Sequence, residues 1–133
     1  MKRATFAILA VFAGAALAQE FKPHPHAHIA PQEWQAYYDK VRTRHPSSER
    51  PFPNEHLALY DDVNTKMSWV FTMPGHPAHP AWVTRQPVED LGQVKIRQIG
   101  FYAGDEAEFT KLFKTYLAMT EVMRRQMEKA PKP

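Results

Sequence analysis

The sequence predicts an α+β domain, a three-stranded antiparallel meander packed against a long C-terminal helix, with one N-terminal helix. Three observations carry that expectation. Apolar residues recur at the 3.6-residue helical period near both ends of the chain, and at a period of two between them. Proline and glycine segments interrupt the period-two stretches where antiparallel strands need turns. The chain also has room for a single core only, once its leader is set aside.

That leader is residues 1–18. Lys2 and Arg3 precede an uncharged run from Ala4 to Gln19, and Ala16-Leu17-Ala18 supplies the small-x-small pattern of a signal peptidase site. The run, about 16 residues, is shorter than the roughly 20 that span a bilayer as a helix. A periplasmic or secreted protein is expected, with cleavage after Ala18 and no stable membrane anchor afterwards. The mature chain of about 115 residues buries about two-thirds of its unfolded surface on folding. The 133-residue chain has 17 Lys and Arg against 14 Asp and Glu, a net charge of +3. Two of those three charges leave with the leader, so a nucleic-acid partner is not expected. With no Cys in the sequence, packing alone must hold an exported domain together.

Residues 19–30 read as a His/Pro-rich arm, in which Pro23 and Pro25 exclude a helix and favour an extended backbone. The single α+β domain is expected over 31–130. Pro31 to His45 predicts the first helix, because Trp34, Tyr37, Tyr38 and Val41 form one apolar stripe. Glu33 lies near its start and Lys40, Arg42 and Arg44 near its end, as the helix dipole favours, and Pro46 stops it. PSSERPFPNEH is a loop by composition. Residues 57–63 read equally as a helical turn or as a fourth strand.

Met67, Trp69, Phe71 and Met73 alternate with Ser68, Val70 and Thr72, a strand with one strongly apolar face. Ala81 to Val88 predicts a second strand, with Pro87 at an edge or a strand end. Gln93 to Tyr102 predicts a third. Its Val94 and Ile96 fall on one face and Ile99 and Phe101 on the other, so a bulge near Gly100 is expected. Asp105 followed by Glu108 signals a helix start. Phe109, Leu112, Phe113, Tyr116, Met119, Thr120, Met123 and Met127 then share one stripe, and Pro131 closes it. A helix of about 24 residues is about 36 Å long, so its last turns are expected to overhang the sheet.

The histidines carry the chemical suggestion. His24, His26 and His28 stand at i, i+2 and i+4 in the arm, which places their imidazoles on one face of an extended backbone. Neutral imidazole suits copper and zinc, and short His-rich tracts bind such metals. His76 and His79 lie in Pro74-Gly75-His76-Pro77-Ala78-His79-Pro80, where Pro-Gly fits the centre of a type II turn. In a polyproline-like run these two imidazoles share a side. His24, His26, His28, His76 and His79 are therefore the candidate metal ligands, with copper or zinc as the candidate ion.

Catalytic signals are sparse. There is no Cys nucleophile, no Ser in a G-x-S-x-G elbow, no Gly-rich phosphate loop and no HExxH pair. The acidic pairs Asp61-Asp62 and Glu89-Asp90 read as solvated turn residues.

The stretch Trp69 to Ala81, WVFTMPGHPAHPA, resembles a segment of a family of small, signal-bearing hypothetical proteins of proteobacteria. The likeness continues loosely through Val83, Arg85 and Phe109-Leu112-Phe113, covers half the mature chain, and leaves His24, His26 and His28 outside. It implies a bacterial secreted protein and carries no mechanism.

Three functions stay open on the sequence. The first is a small periplasmic binding protein holding copper or zinc weakly through its histidines. The second is a protein-interaction or envelope accessory protein that meets a periplasmic partner through the Pro/His loop and the Met-bearing helix. The third is a small hydrolase or isomerase, motivated by histidines near acids.

Overall fold

Alternation along Met67–Thr72 sends Trp69 and Phe71 to one side of a strand and Val70 and Thr72 to the other, and all four are buried. A strand buried on both faces needs cover on both faces. The computed structural model, which describes residues 26–129, supplies it with two helices. Helix α1 spans Pro31–Arg44, followed by a 3₁₀ turn at Pro46–Ser48 and strand β1 at Arg50–Phe52. A second 3₁₀ turn at Pro53–Glu55 leads to β2 at Leu57–Asp62, β3 at Met67–Thr72, β4 at Ala81–Asp90 and β5 at Gln93–Tyr102. Helix α2 runs over Glu106–Lys129. The five strands form one antiparallel sheet in the order β1-β2-β3-β4-β5. The expected signal peptide, His24 and Pro131 lie outside the described residues. Among the described residues no helix is long and apolar enough to cross a membrane.

The α+β class holds, and the meander has five strands where three or four were expected. Residues 57–62 resolve as strand. Both faces of β2 are used, since Leu57 belongs to the core under α2 while Ala58 and Tyr60 belong to the core under α1. The loop reading of 46–56 missed β1, a three-residue exposed strand paired as Arg50↔Leu59, Pro51↔Ala58 and Phe52↔Leu57. Its composition reads as loop because an edge strand tolerates proline and buries nothing of its own.

Helix α1 does not lie beside α2. It covers the opposite face, where Trp34 and Val41 pack with Ala58, Tyr60, Trp69, Phe71 and Trp82. The apolar face Met67–Trp69–Phe71–Met73 therefore meets α1, and α2 takes the Val70, Ala81 and Val83 side with Phe109, Leu112, Phe113 and Tyr116. Two hydrogen bonds fix α1: Trp34 Nε1 donates to the Ala81 carbonyl at 2.9 Å, and Trp69 Nε1 donates to the Tyr37 hydroxyl at 2.9 Å. At its start the Ala30 amide donates to Glu33 Oε1 at 2.8 Å. This back-bond satisfies a donor with no partner inside the helix.

No bulge interrupts β5. Its register against β4 runs unbroken from Ala81↔Tyr102 to Asp90↔Gln93. Apolar residues on both faces are accommodated because both faces are covered. Gly100 is there for space: a Cβ would come within 2.6 Å of Phe109 Cζ and 3.0 Å of Phe113 Cδ2. Pro87 is tolerated because β3 pairs with β4 only as far as Arg85, so beyond that point β4 has a strand on one side only.

Asp105 caps α2, its carboxylate accepting the Glu108 amide at 2.9 Å. The expected stripe is buried from Phe109 through Tyr116 and at Thr120, but Met119 and Met123 remain 46% exposed, as an overhanging helix requires.

Candidate functional site

The Pro/His loop joins β3 to β4. Pro-Gly forms the turn that the sequence predicts, with Gly75 at φ 104° and the His76 amide donating to the Met73 carbonyl at 3.0 Å. A second turn follows at once, the His79 amide donating to the His76 carbonyl at 3.0 Å. The run is thus a double turn rather than a polyproline helix. Hydrogen bonding within successive turns outweighs the extended preference of its prolines, and the period-three argument for His76 and His79 lapses.

Both imidazoles are engaged, His76 within the loop and His79 with the end of β3. The Ala78 amide donates to His76 Nδ1 at 3.0 Å, so this nitrogen carries the lone pair and the proton of the neutral ring sits on Nε2. A metal ligand needs a lone pair, and the one His76 has is already used. His79 Nδ1 stands 2.8 Å from Thr72 Oγ1, which also accepts the Ala81 amide at 2.9 Å and lies 3.1 Å from the Ala81 carbonyl. The His79 ring meets the Trp34 indole edge-on at 4.8 Å between centroids. The hydroxyl–imidazole distance suits a nucleophile and its base. Thr72 is fully buried, however, and its oxygen is saturated by the β4 backbone. The pair ties the loop to the sheet.

Burial pushes the pKa of both His76 and His79 below the ordinary histidine value near 6.5. For His76, nearby His56 adds to that effect and Glu108 opposes it; for His79, a backbone hydrogen bond at Thr72 opposes it and His76 adds to it. A histidine with a depressed folded pKa stabilises the fold above its unfolded pKa, and loses that contribution as pH falls through the folded value. Thermal denaturation should therefore show the midpoint falling by several degrees as pH drops from about 7 to 5. His76→Gln with His79→Gln should flatten that slope. An equal slope in the variant would show that these two rings are not its source.

The arm lies on the other side of β4. The Ile29 amide donates to the Tyr102 carbonyl and the Tyr102 amide to the Ala27 carbonyl, each at 2.9 Å, so 27–29 add to β5 as a short parallel bridge at His28. Ala27 is buried in the core, while His26 and His28 are exposed and the His28 ring lies 5.2 Å from that of Tyr102. The extended backbone expected for the arm is thus present where it is described. Among the described residues no three His, Asp or Glu side chains are gathered around one point as metal ligands. His26 and His28 belong to one segment, and His76 and His79 to another whose inner nitrogens are taken.

Sequence reasoning passed over Arg85. Along β4, Ala81, Val83, Arg85 and Pro87 point to the α2 side, so a guanidinium follows two fully buried residues. It lies over the Tyr116 ring, 5.0 Å from its centroid. Nη1 lies 3.5 Å from Thr120 Oγ1 and 4.0 Å from Met123 Sδ, and Nε is buried with no hydrogen-bond partner. The available signal was one charge in an otherwise inward-facing alternation. No protein-family model, curated protein or solved structure matches the chain.

Proposed function

We propose that the protein is a small exported binding module of the bacterial periplasm, holding copper or zinc through its N-terminal arm. The leader, Lys2-Arg3 with the uncharged run and Ala16-Leu17-Ala18, supports export. The observation that carries the metal reading is the separation of the two histidine groups. His76 spends its lone pair on the Ala78 amide and the His79 ring is held to Thr72 of β3, whereas His26 and His28 lie exposed on an extended segment pinned to β5. At two-residue spacing on such a backbone, the arm's imidazoles reach one ion from one face, and His24 continues the same spacing.

Calorimetric titration of the purified protein with Cu(II) and Zn(II) tests this. Saturable heat is expected with Kd on the order of tens of micromolar, lost in the His24→Ala, His26→Ala, His28→Ala triple variant. The His76→Ala, His79→Ala variant should keep it. No heat, or equal heat in both variants, would refute the arm as the metal site.

A second reading is favoured by one observation. Met119, Val122 and Met123 of α2 are about half exposed, an adaptable apolar surface suited to a protein partner. Capture of a periplasmic protein by the wild type, lost with Met119→Glu and Met123→Glu, would shift the reading to an envelope accessory protein.

A further inference from the structure

Toward its C-terminal end α2 leaves the sheet, and two openings separate it from β4 and β5. One, of about 210 Å³, is lined by Lys66, Ser68, Arg85, Ile96 and Met123, among others. The other, of about 530 Å³, includes Gln98 and Leu117 in its wall. Ile96 and Thr120 border both.

Arg85 and Gln98 are cross-strand partners in the β4–β5 register and stand side by side on this face. Each holds one buried atom with no partner: Arg85 Nε, a donor, and Gln98 Oε1, an acceptor. The Gln98 amide nitrogen is already committed, donating to the Phe113 carbonyl at 2.9 Å. Among the described residues no carboxylate is ion-paired with Arg85. Asp61, which lines the smaller opening, is bound to Arg50 instead. Burial disfavours the charged form of Arg85, and Tyr116 and Asp61 offset only part of that effect, so an anion that reaches the guanidinium is drawn in. Lys66 adds a second positive charge to the same wall. Pro87, Ile96 and Met123 supply its apolar surface, and Ser68, Gln86 and Thr120 its neutral polar groups.

We propose that this opening is a binding site for a small aliphatic carboxylate, whose headgroup is received by Arg85 and whose chain lies along Ile96 and Met123. The planar guanidinium presents donors that match a carboxylate in geometry. The cavity is smaller than the roughly 300–1,000 Å³ of sites for drug-sized ligands, which sets the ligand at a short chain. The site is independent of the histidine arm.

Sodium hexanoate is the probe, with hexan-1-ol and hexylammonium as controls at constant ionic strength. Binding is read by calorimetry and by the side-chain Nε–H resonance of Arg85 in a ¹H–¹⁵N spectrum. Saturable hexanoate binding in the millimolar range is expected, with a shift of that resonance, and neither control should produce it. Arg85→Lys should weaken binding about tenfold and Arg85→Met should abolish it. Arg85→Met should keep or raise the thermal midpoint, because it removes an unpaired charge while retaining bulk. Should Arg85→Met fail to fold, the wild-type resonance decides the matter. An unmoved resonance, meaning a site filled only by water, overturns the proposal. So does hexan-1-ol binding as tightly as hexanoate, or a folded Arg85→Met that binds hexanoate undiminished.

Discussion

Phe71→Ala is expected to lower stability by about 3–5 kcal/mol, a fall in thermal midpoint on the order of 20 °C. Phe71 is fully buried at the centre of an aromatic cluster, with ring centroids of Trp34, Tyr37, Tyr38, Tyr60 and Trp82 between 5.1 and 6.1 Å away. These rings come from α1 and from the strands on either side of β3, so removing the benzyl group strips contacts from three elements at once. Edge-on and tilted pairs each add to simple burial, which places the loss toward the upper end of that range. The rings cannot collapse into the space without giving up the hydrogen bonds of Trp34 and Trp69. Phe71→Leu keeps most of the volume and should lose less than about 2 kcal/mol. Urea denaturation measures both. A loss below about 1 kcal/mol for the alanine variant would contradict the packing of α1 on this face.

Thr72→Val, one residue along and on the other face, should cost about 2–4 kcal/mol with hardly any change in shape. The methyl that replaces Oγ1 leaves the Ala81 amide without its acceptor and His79 Nδ1 without its partner, in a place with no exposure to water. Thr72→Ser keeps the hydroxyl and removes one methyl, for about 1 kcal/mol. The two variants separate hydrogen bonding from volume. The His79 ring nitrogens should change chemical shift in the valine variant and stay in place in the serine variant. Equal destabilisation by valine and serine would mean that the hydroxyl does not hold the loop.

The same two residues show how far the sequence could be read. Alternation through Met67–Thr72 identified the strand and its aromatic face, and the helical stripes identified α1 and α2 with their caps. Which helix covers which face was not legible. Val70 and Thr72 look like the weaker face of a half-exposed strand, and only the arrival of Phe109 and Phe113 shows that this face is buried as well. Gly100 looked like a bulge for the same reason. Strand β1 left no trace in composition because its pairing is dictated by β2. At the site, residue types showed that imidazoles were available. The hydrogen bond from the Ala78 amide, which decides that His76 has no lone pair to offer inside the loop, depends on a turn geometry that three prolines alone do not specify. Arg85 was readable only as an exception to a pattern. That no described carboxylate is ion-paired with it, Asp61 being taken by Arg50, is a property of the folded neighbourhood.

The short bridge between the arm and Tyr102 has a consequence for how one copy of the chain meets another. β5 is the outermost strand on its side, and an unpaired strand edge is a template on which further strands can add. At its Tyr102 end the backbone groups that would serve as that template are taken by Ala27 and Ile29. Farther along, Lys95 and Arg97 are exposed and place positive charge on the strand. At the opposite border, β1 is three residues long and carries Pro51, which has no amide to offer. The arm is therefore also a guard. A segment whose histidines suggest ligand binding occupies, through its backbone, the place where sheet-to-sheet growth would otherwise begin.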